Sequence, residues 1–109
     1  METIGIVLTV GNDQVDAFER GFREHEVPVW QDLERRGLLV TASLNRLDIS
    51  SSPVDGATQY LIVAVFATGE GHHVHDDHPG FKAWNEIADA YQTAPAMAFG
   101  GETIVHRPA

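Results

Sequence analysis

Residues 60–67, Tyr-Leu-Ile-Val-Ala-Val-Phe-Ala, present an apolar side chain at every position. A β-strand turns successive side chains to opposite faces, so this run makes a central strand that must be covered on both sides. The requirement is severe for a chain of 109 residues, which has material for one domain and one core. Helices can supply the cover on one face. If they are too few for the other, a second copy of the chain must supply it.

The flanking patterns say how many helices there are. Ile4, Ile6, Leu8 and Val10 alternate with Gly5, Val7 and Thr9, the period of a first strand, and Gly11-Asn12-Asp13 stops it. From Asp13 the apolar period lengthens: Val15, Phe18, Phe22, Val29 and Leu33 share one side of a helix, with Asn12 or Asp13 available as its cap. Pro28 is expected to kink or split that helix, because it cannot donate to the carbonyl of Glu24. Arg35-Arg36-Gly37 ends it. A second strand is predicted over 38–47, and the turn-rich stretch 48–56 is long enough to act as a flap. After the central strand comes a segment read as a mobile loop, then Pro79 as the first residue of a second helix. Phe81, Trp84, Ile87, Ala88 and Tyr91 form that helix's buried stripe, and Pro95 closes it. A last strand is predicted over 96–99 and 103–106, with Gly100-Gly101 as a bulge or a point of close backbone approach.

The order is β-α-β-β-α-β, the ferredoxin-like arrangement of class α+β: an antiparallel four-stranded sheet with two helices on one face. No repeat or linker divides the chain, so residues 1–109 are read as a single domain. The uncovered apolar face predicts a homodimer in which two sheets close into a shared barrel.

Composition narrows the partners. Seven Lys and Arg against sixteen Asp and Glu give a formal charge of −9, a field that repels nucleic acid and anionic lipid. With no cysteine, disulfides and thiolate metal sites are excluded. The amino terminus lacks the basic and apolar regions of a signal peptide, and no run is long enough to cross a membrane, so the expected location is the cytoplasm.

Four of the six histidines fall in 72–78, and histidine titrates nearest neutrality, so this is where acid–base chemistry is expected. His75 is the expected general base and stands beside Asp76 and Asp77, which can orient its ring. His78 precedes Pro79 and is placed either to work in the site or to cap the second helix. His25, on the side of Phe18 and Phe22, is expected to point to the sheet as a core histidine or a further base. Tyr60 and Asn85 are candidate hydrogen-bond donors to a substrate oxygen. Phe81, Trp84, Trp30 and Tyr91 are core residues that can also form apolar walls for a substrate. His72 and His73 are expected to be exposed. Together with Asp76, Asp77 and Glu70 the loop histidines offer metal ligands in excess, yet a mobile loop pays a large ordering cost to fix them. The expectation is therefore a small-molecule site without metal, haem or other cofactor.

The strand ending in Phe66, followed by His78-Pro79-Gly80-Phe81-Lys82-Ala83-Trp84, resembles the dimeric α+β barrel superfamily over essentially the whole chain. Within it the chain is similar to the stress-responsive A/B barrel and olivetolic acid cyclase-like proteins, which carry a His-Pro-Ala-His element at the same spacing after an apolar strand, and to the antibiotic-biosynthesis monooxygenases. The cyclase-like proteins use a Tyr before the motif and its second His; the matching positions here are His75 and Phe81. The resemblance implies an enzyme of cyclase, isomerase or lyase type acting on an apolar, carbonyl-bearing metabolite, polyketide-like or aromatic, with a cofactor-free monooxygenase as the alternative. Some barrels of the superfamily bind haem through a histidine near the second helix, which would make His75 or His78 the axial ligand of a non-catalytic binding dimer.

Overall fold

A computed structural model describes residues 1–108. Four strands form one antiparallel sheet in the order β2-β3-β1-β4: β1 Glu2–Gly11, β2 Leu39–Arg46, β3 Ala57–Phe66 and β4 Met97–Glu102. The predicted central strand is central, with β2 on one side of β3 and β1 on the other. The first crossover carries α1 Val15–Gly21, a π-helical turn Phe22–Glu26 and α2 Val27–Arg35; the second carries α3 Glu70–Asp77 and α4 Pro79–Asp89. This is the ferredoxin-like α+β fold that the residue pattern anticipates. No helix is long and apolar enough to cross a membrane among the described residues.

Pairing sets the two faces of the sheet. Tyr60, Ala64 and Phe66 of β3 lie with Leu8 and Val10 of β1 against the helices, where Phe18, Phe22, Val29, Leu33, Trp84 and Ala88 complete two contiguous core clusters. The opposite face carries Leu61, Val63 and Val65, and Val63 sits across from Gly5, which in turn sits across from Phe99. Phe99 is 66% exposed there and Met97 46%, so the helices leave an apolar strip uncovered.

The first helix is divided at Pro28, as expected, though by a register change and not by a gap: α2 starts at Val27, and the π turn ahead of it bonds Val27 N–H to Phe22 O, five residues back. Several other local expectations are corrected. Neither Asn12 nor Asp13 caps this helix; it begins through a 3-10 turn, and Asn12 Oδ1 instead accepts from Thr58 Oγ1 at 2.8 Å. The histidine segment is the helix α3, not a loop, entered through Thr68, whose Oγ1 accepts from Glu70 N–H at 3.3 Å. Ile87 is 43% exposed because the inner face of α4 follows Phe81, Trp84 and Ala88. The last strand ends at Glu102: its register pairs Glu102 with Glu2, where β1 begins, so 103–106 have no strand left to pair with. Gly100 marks a close approach, since a Cβ there would lie 2.5 Å from Ile4 Cδ1, and the ladder runs through it without a bulge.

The helix α3 sits very close to the sheet. A Cβ on Gly71 would lie 2.6 Å from Phe66 Cδ1 and 2.9 Å from its Cβ, a part of the side chain that cannot swing aside. Gly71→Ala removes a helix-weakening glycine, a gain of up to about 1 kcal/mol. It also overpacks the contact, a cost of about 1–3 kcal/mol. The second effect is the larger, so thermal melting should show Gly71→Ala less stable than the native chain, whereas Gly101→Ala, with open space around it, should change little.

Candidate active site

A cavity of about 660 Å³ opens between the sheet and the helices. Ile4, Ile6 and Ile62 form its floor; Phe22, Trp30, Phe81 and Trp84 form its walls. At one end the lining turns polar, with Glu26, His75 and Asp76 beside Glu2 and His72. No Lys or Arg lines it among the described residues.

The centre of this polar end is Glu26, only 3% exposed. It is there because of the π turn. Counting by four from Phe18 gives Phe22 and then Glu26, and the wider π turn keeps that spacing, so Glu26 and not His25 points inward. His25 is accordingly exposed and lies flat on Trp84, with ring centroids 5.5 Å apart and planes 15° from parallel, which corrects the expectation that it faces the sheet. The acid was legible in principle, as a carboxylate continuing an apolar stripe just ahead of Pro28.

The His75 side chain, 13% exposed, projects from α3 toward the same point. Its Nε2 donates to Glu26 Oε1 at 2.5 Å and its Nδ1 donates to Asp76 Oδ1 at 2.9 Å. A carboxylate accepts and does not donate, so with both acids ionised both ring nitrogens carry protons and the ring is an imidazolium. Burial works against that charge and pulls the His75 pKa down, but the hydrogen bond and charge of Glu26, aided by Asp76, outweigh it and hold the pKa above the ordinary histidine value. The remaining carboxylate oxygen, Glu26 Oε2, is buried and has no hydrogen-bond partner among the described residues. An unpartnered buried carboxylate oxygen is costly, and Glu26 is among the residues that line the cavity.

The other candidates divide. Phe81, Trp84, Trp30 and Asn85 line the cavity. Tyr91 packs against Phe18 and Trp84 behind the wall. Tyr60 is 1% exposed and turned to a second, smaller recess under α1, where its hydroxyl donates to Glu19 Oε2 at 2.5 Å. Burial and that bond to Glu19 push the Tyr60 pKa up to about 12. His78 caps α4, as one of its two readings expects: its backbone is held extended ahead of Pro79, its Nδ1 accepts from Gly80 N–H at 3.0 Å, and its Nε2 donates to Asp32 Oδ2 at 3.1 Å. His72 is partly buried, not exposed, and pairs with Glu2. The histidines thus diverge to separate carboxylates, and no three His, Asp or Glu side chains converge as metal ligands among the described residues. Axial ligation of haem by His75 or His78 would require breaking a bond that its ring already makes.

No family model matches the sequence, and comparison with curated proteins gives no match. Solved structures do match. A Nitrosomonas europaea protein, provisionally named an antibiotic biosynthesis monooxygenase, is 12% identical, with a TM-score of 0.77 over 96% of this chain and 100% of its own. HapK from Hahella chejuensis is 18% identical, with a TM-score of 0.74 over 100% and 98%. SnoaB, a cofactor-independent oxygenase from Streptomyces nogalater, is 16% identical, with a TM-score of 0.68 over 99% and 98%. At these identities the likeness establishes the fold.

The raised pKa of His75 has a consequence for stability. The folded chain holds this proton more tightly than the unfolded chain, whose histidines titrate near about 6.5. The pair therefore contributes fully below that pH, and its contribution is lost as pH rises through the raised folded-state value. The melting temperature of the native chain should exceed that of His75→Gln by a margin that shrinks as pH rises above about 6.5; a margin that grows with pH would mean the folded pKa is depressed.

Proposed function

We propose that the chain is a homodimeric, cytoplasmic, cofactor-independent enzyme that abstracts a proton from an apolar, carbonyl-bearing small molecule. The observation that carries this reading is Glu26: a buried carboxylate in the wall of a largely apolar cavity, one oxygen bonded to a cationic histidine and the other unpartnered. Phe22, Trp30 and Trp84 hold the substrate's apolar body.

In the proposed step Glu26 Oε2 takes a proton from the carbon next to the carbonyl, and the C–H electron pair moves into an enolate whose negative charge rests on oxygen. Glu26 becomes neutral as it accepts the proton. The His75 imidazolium, until then balanced by Glu26, is left as a positive charge beside the new anion, in a cavity lined by no Lys or Arg among the described residues. Charge stabilisation thus appears as the transition state forms. His75 acts here as the cationic partner of the base and not as the base, since both its nitrogens carry protons. The enolate then cyclises, isomerises or eliminates. In the second reading it reacts with dioxygen, as in a cofactor-independent oxygenase; the likeness to SnoaB favours this version.

The probe is β-tetralone, a neutral aromatic ketone with acidic α-hydrogens. Trp30 and Trp84, the chain's two tryptophans, both line the cavity, so its binding should quench intrinsic fluorescence. In deuterated water the native protein should exchange the α-hydrogens, and Glu26→Gln should slow exchange by about 10²–10⁴-fold while still binding the ketone. Unchanged exchange in Glu26→Gln would refute the role of Glu26. Oxygen uptake coupled to ketone consumption would decide for the oxygenase version.

The proposed dimer covers the strip around Val63 and Phe99 with the same strip of a second copy. Val63→Lys would bury an unpaired charge in that contact, at a cost of several kcal/mol. Light scattering should find a dimer for the native chain and a folded monomer for the variant; a native monomer at micromolar concentration would remove the dimer.

A further inference from the structure

We infer that His72, paired with Glu2, is a second proton-transferring group of the same cavity, and that the enzyme shifts a proton between two carbons of one substrate, as in the isomerisation of a β,γ-unsaturated ketone to its conjugated form. The inference rests on the reading of Glu26 as the proton acceptor.

The helix α3 sets up the pair of sites. His72 and His75 are three residues apart, so they project from one side of α3 with Cβ atoms about 5–6 Å apart, and one small molecule can touch both. Both rings flank Phe66, at centroid distances of 6.5 Å and 6.4 Å, and both line the cavity. Each is tied to a carboxylate from a different element, Glu2 on β1 and Glu26 in the π turn.

The two pairs differ in what they leave free. In the His75 pair both imidazole nitrogens are engaged and the unpartnered atom is a buried carboxylate oxygen. In the His72 pair Nδ1 donates to Glu2, and Nε2 makes no hydrogen bond among the described residues. One pair therefore ends in an acceptor and the other in a ring nitrogen that can carry and give a proton. His72 is the more open of the two, with its side chain 27% exposed against 13%, which suits a group that must recover a proton from water after each turnover.

The balance is simple. Glu26 takes the α-proton, the electron pair spreads over a dienolate, and His72 Nε2–H gives a proton to the γ-carbon. The double bond moves into conjugation with the carbonyl, and no oxidant, reductant or second substrate is consumed. Glu26 then loses its proton to water and His72 regains one.

The test uses two probes in deuterated water: β-tetralone for α-exchange and a β,γ-unsaturated cyclohexenone for conjugation, followed by ultraviolet absorbance. Native protein should do both. His72→Gln should lose conjugation by about 10²-fold or more, a far larger loss than it shows in α-exchange. Glu2→Gln, which leaves the ring in place, should show the same split in smaller measure, and circular dichroism should report both variants folded. If His72→Gln keeps both activities, or a folded His72→Gln and Glu2→Gln lose both together, His72 is no separate proton donor. If native protein exchanges β-tetralone but never conjugates the enone, the isomerase inference falls and the Glu26 base stands. If native protein fails even to exchange, the proposed function falls first.

Discussion

The structure turns on one buried charge. A carboxylate that is 3% exposed costs several kcal/mol to desolvate, and Glu26 recovers part of that cost through its bond to His75 and none of it at Oε2. Everything near it is arranged around holding it there. The π turn rotates it inward, Pro28 follows so that the register change costs no backbone donor, and α3 presses on Phe66 closely enough to bring His75 within reach. An apolar residue of similar volume at this position would make a more stable protein by the usual energetics of buried pairs. On the proposed function, the acid is carried at that cost because it takes the substrate's proton.

The fold was legible because its main determinant is periodic. The two-sided apolarity of 60–67 and the alternation in 4–10 specify the middle of the sheet, and the helical stripes Phe18, Phe22, Leu33 and Phe81, Trp84, Ala88 specify its cover. What failed was local and has local causes. An ideal period of 3.6, taken twice from Phe18, falls on His25; the π turn carries the chain to Glu26. Polar composition and flanking glycines made α3 read as a loop, since its helicity comes from packing on Phe66 and not from propensity. Strand length at the end was misjudged because pairing depends on where the partner strand starts, which no single segment reveals.

The site was half legible. A cluster of histidines pointed to α3, and His75 sits in the cavity wall, whereas His78 and His25 belong to a helix cap and an aromatic stack. Residue type alone cannot separate these roles. What separates His72, His75 and His78 is the distant carboxylate each ring meets, and those acids, Glu2, Glu26 and Asp32, lie 46–70 positions away in the chain. A pairing of that range is set by topology, and the sequence pattern of one helix is blind to it.

The arrangement of charge also constrains what the cavity can hold. Its polar end carries acids and histidines with no Lys or Arg among the described residues, inside a chain of formal charge −9. A carboxylate or phosphate on a ligand would meet repulsion both in the approach and in the pocket. In the proposed reaction a neutral ketone escapes that repulsion in the ground state and acquires negative charge only in the transition state, when Glu26 has surrendered its own. On that proposal the acid excludes anions before the reaction and ceases to oppose one during it. The proposed mechanism would thereby meet selectivity for neutral substrates and stabilisation of an anionic intermediate, usually competing demands on one pocket, by the protonation of a single residue.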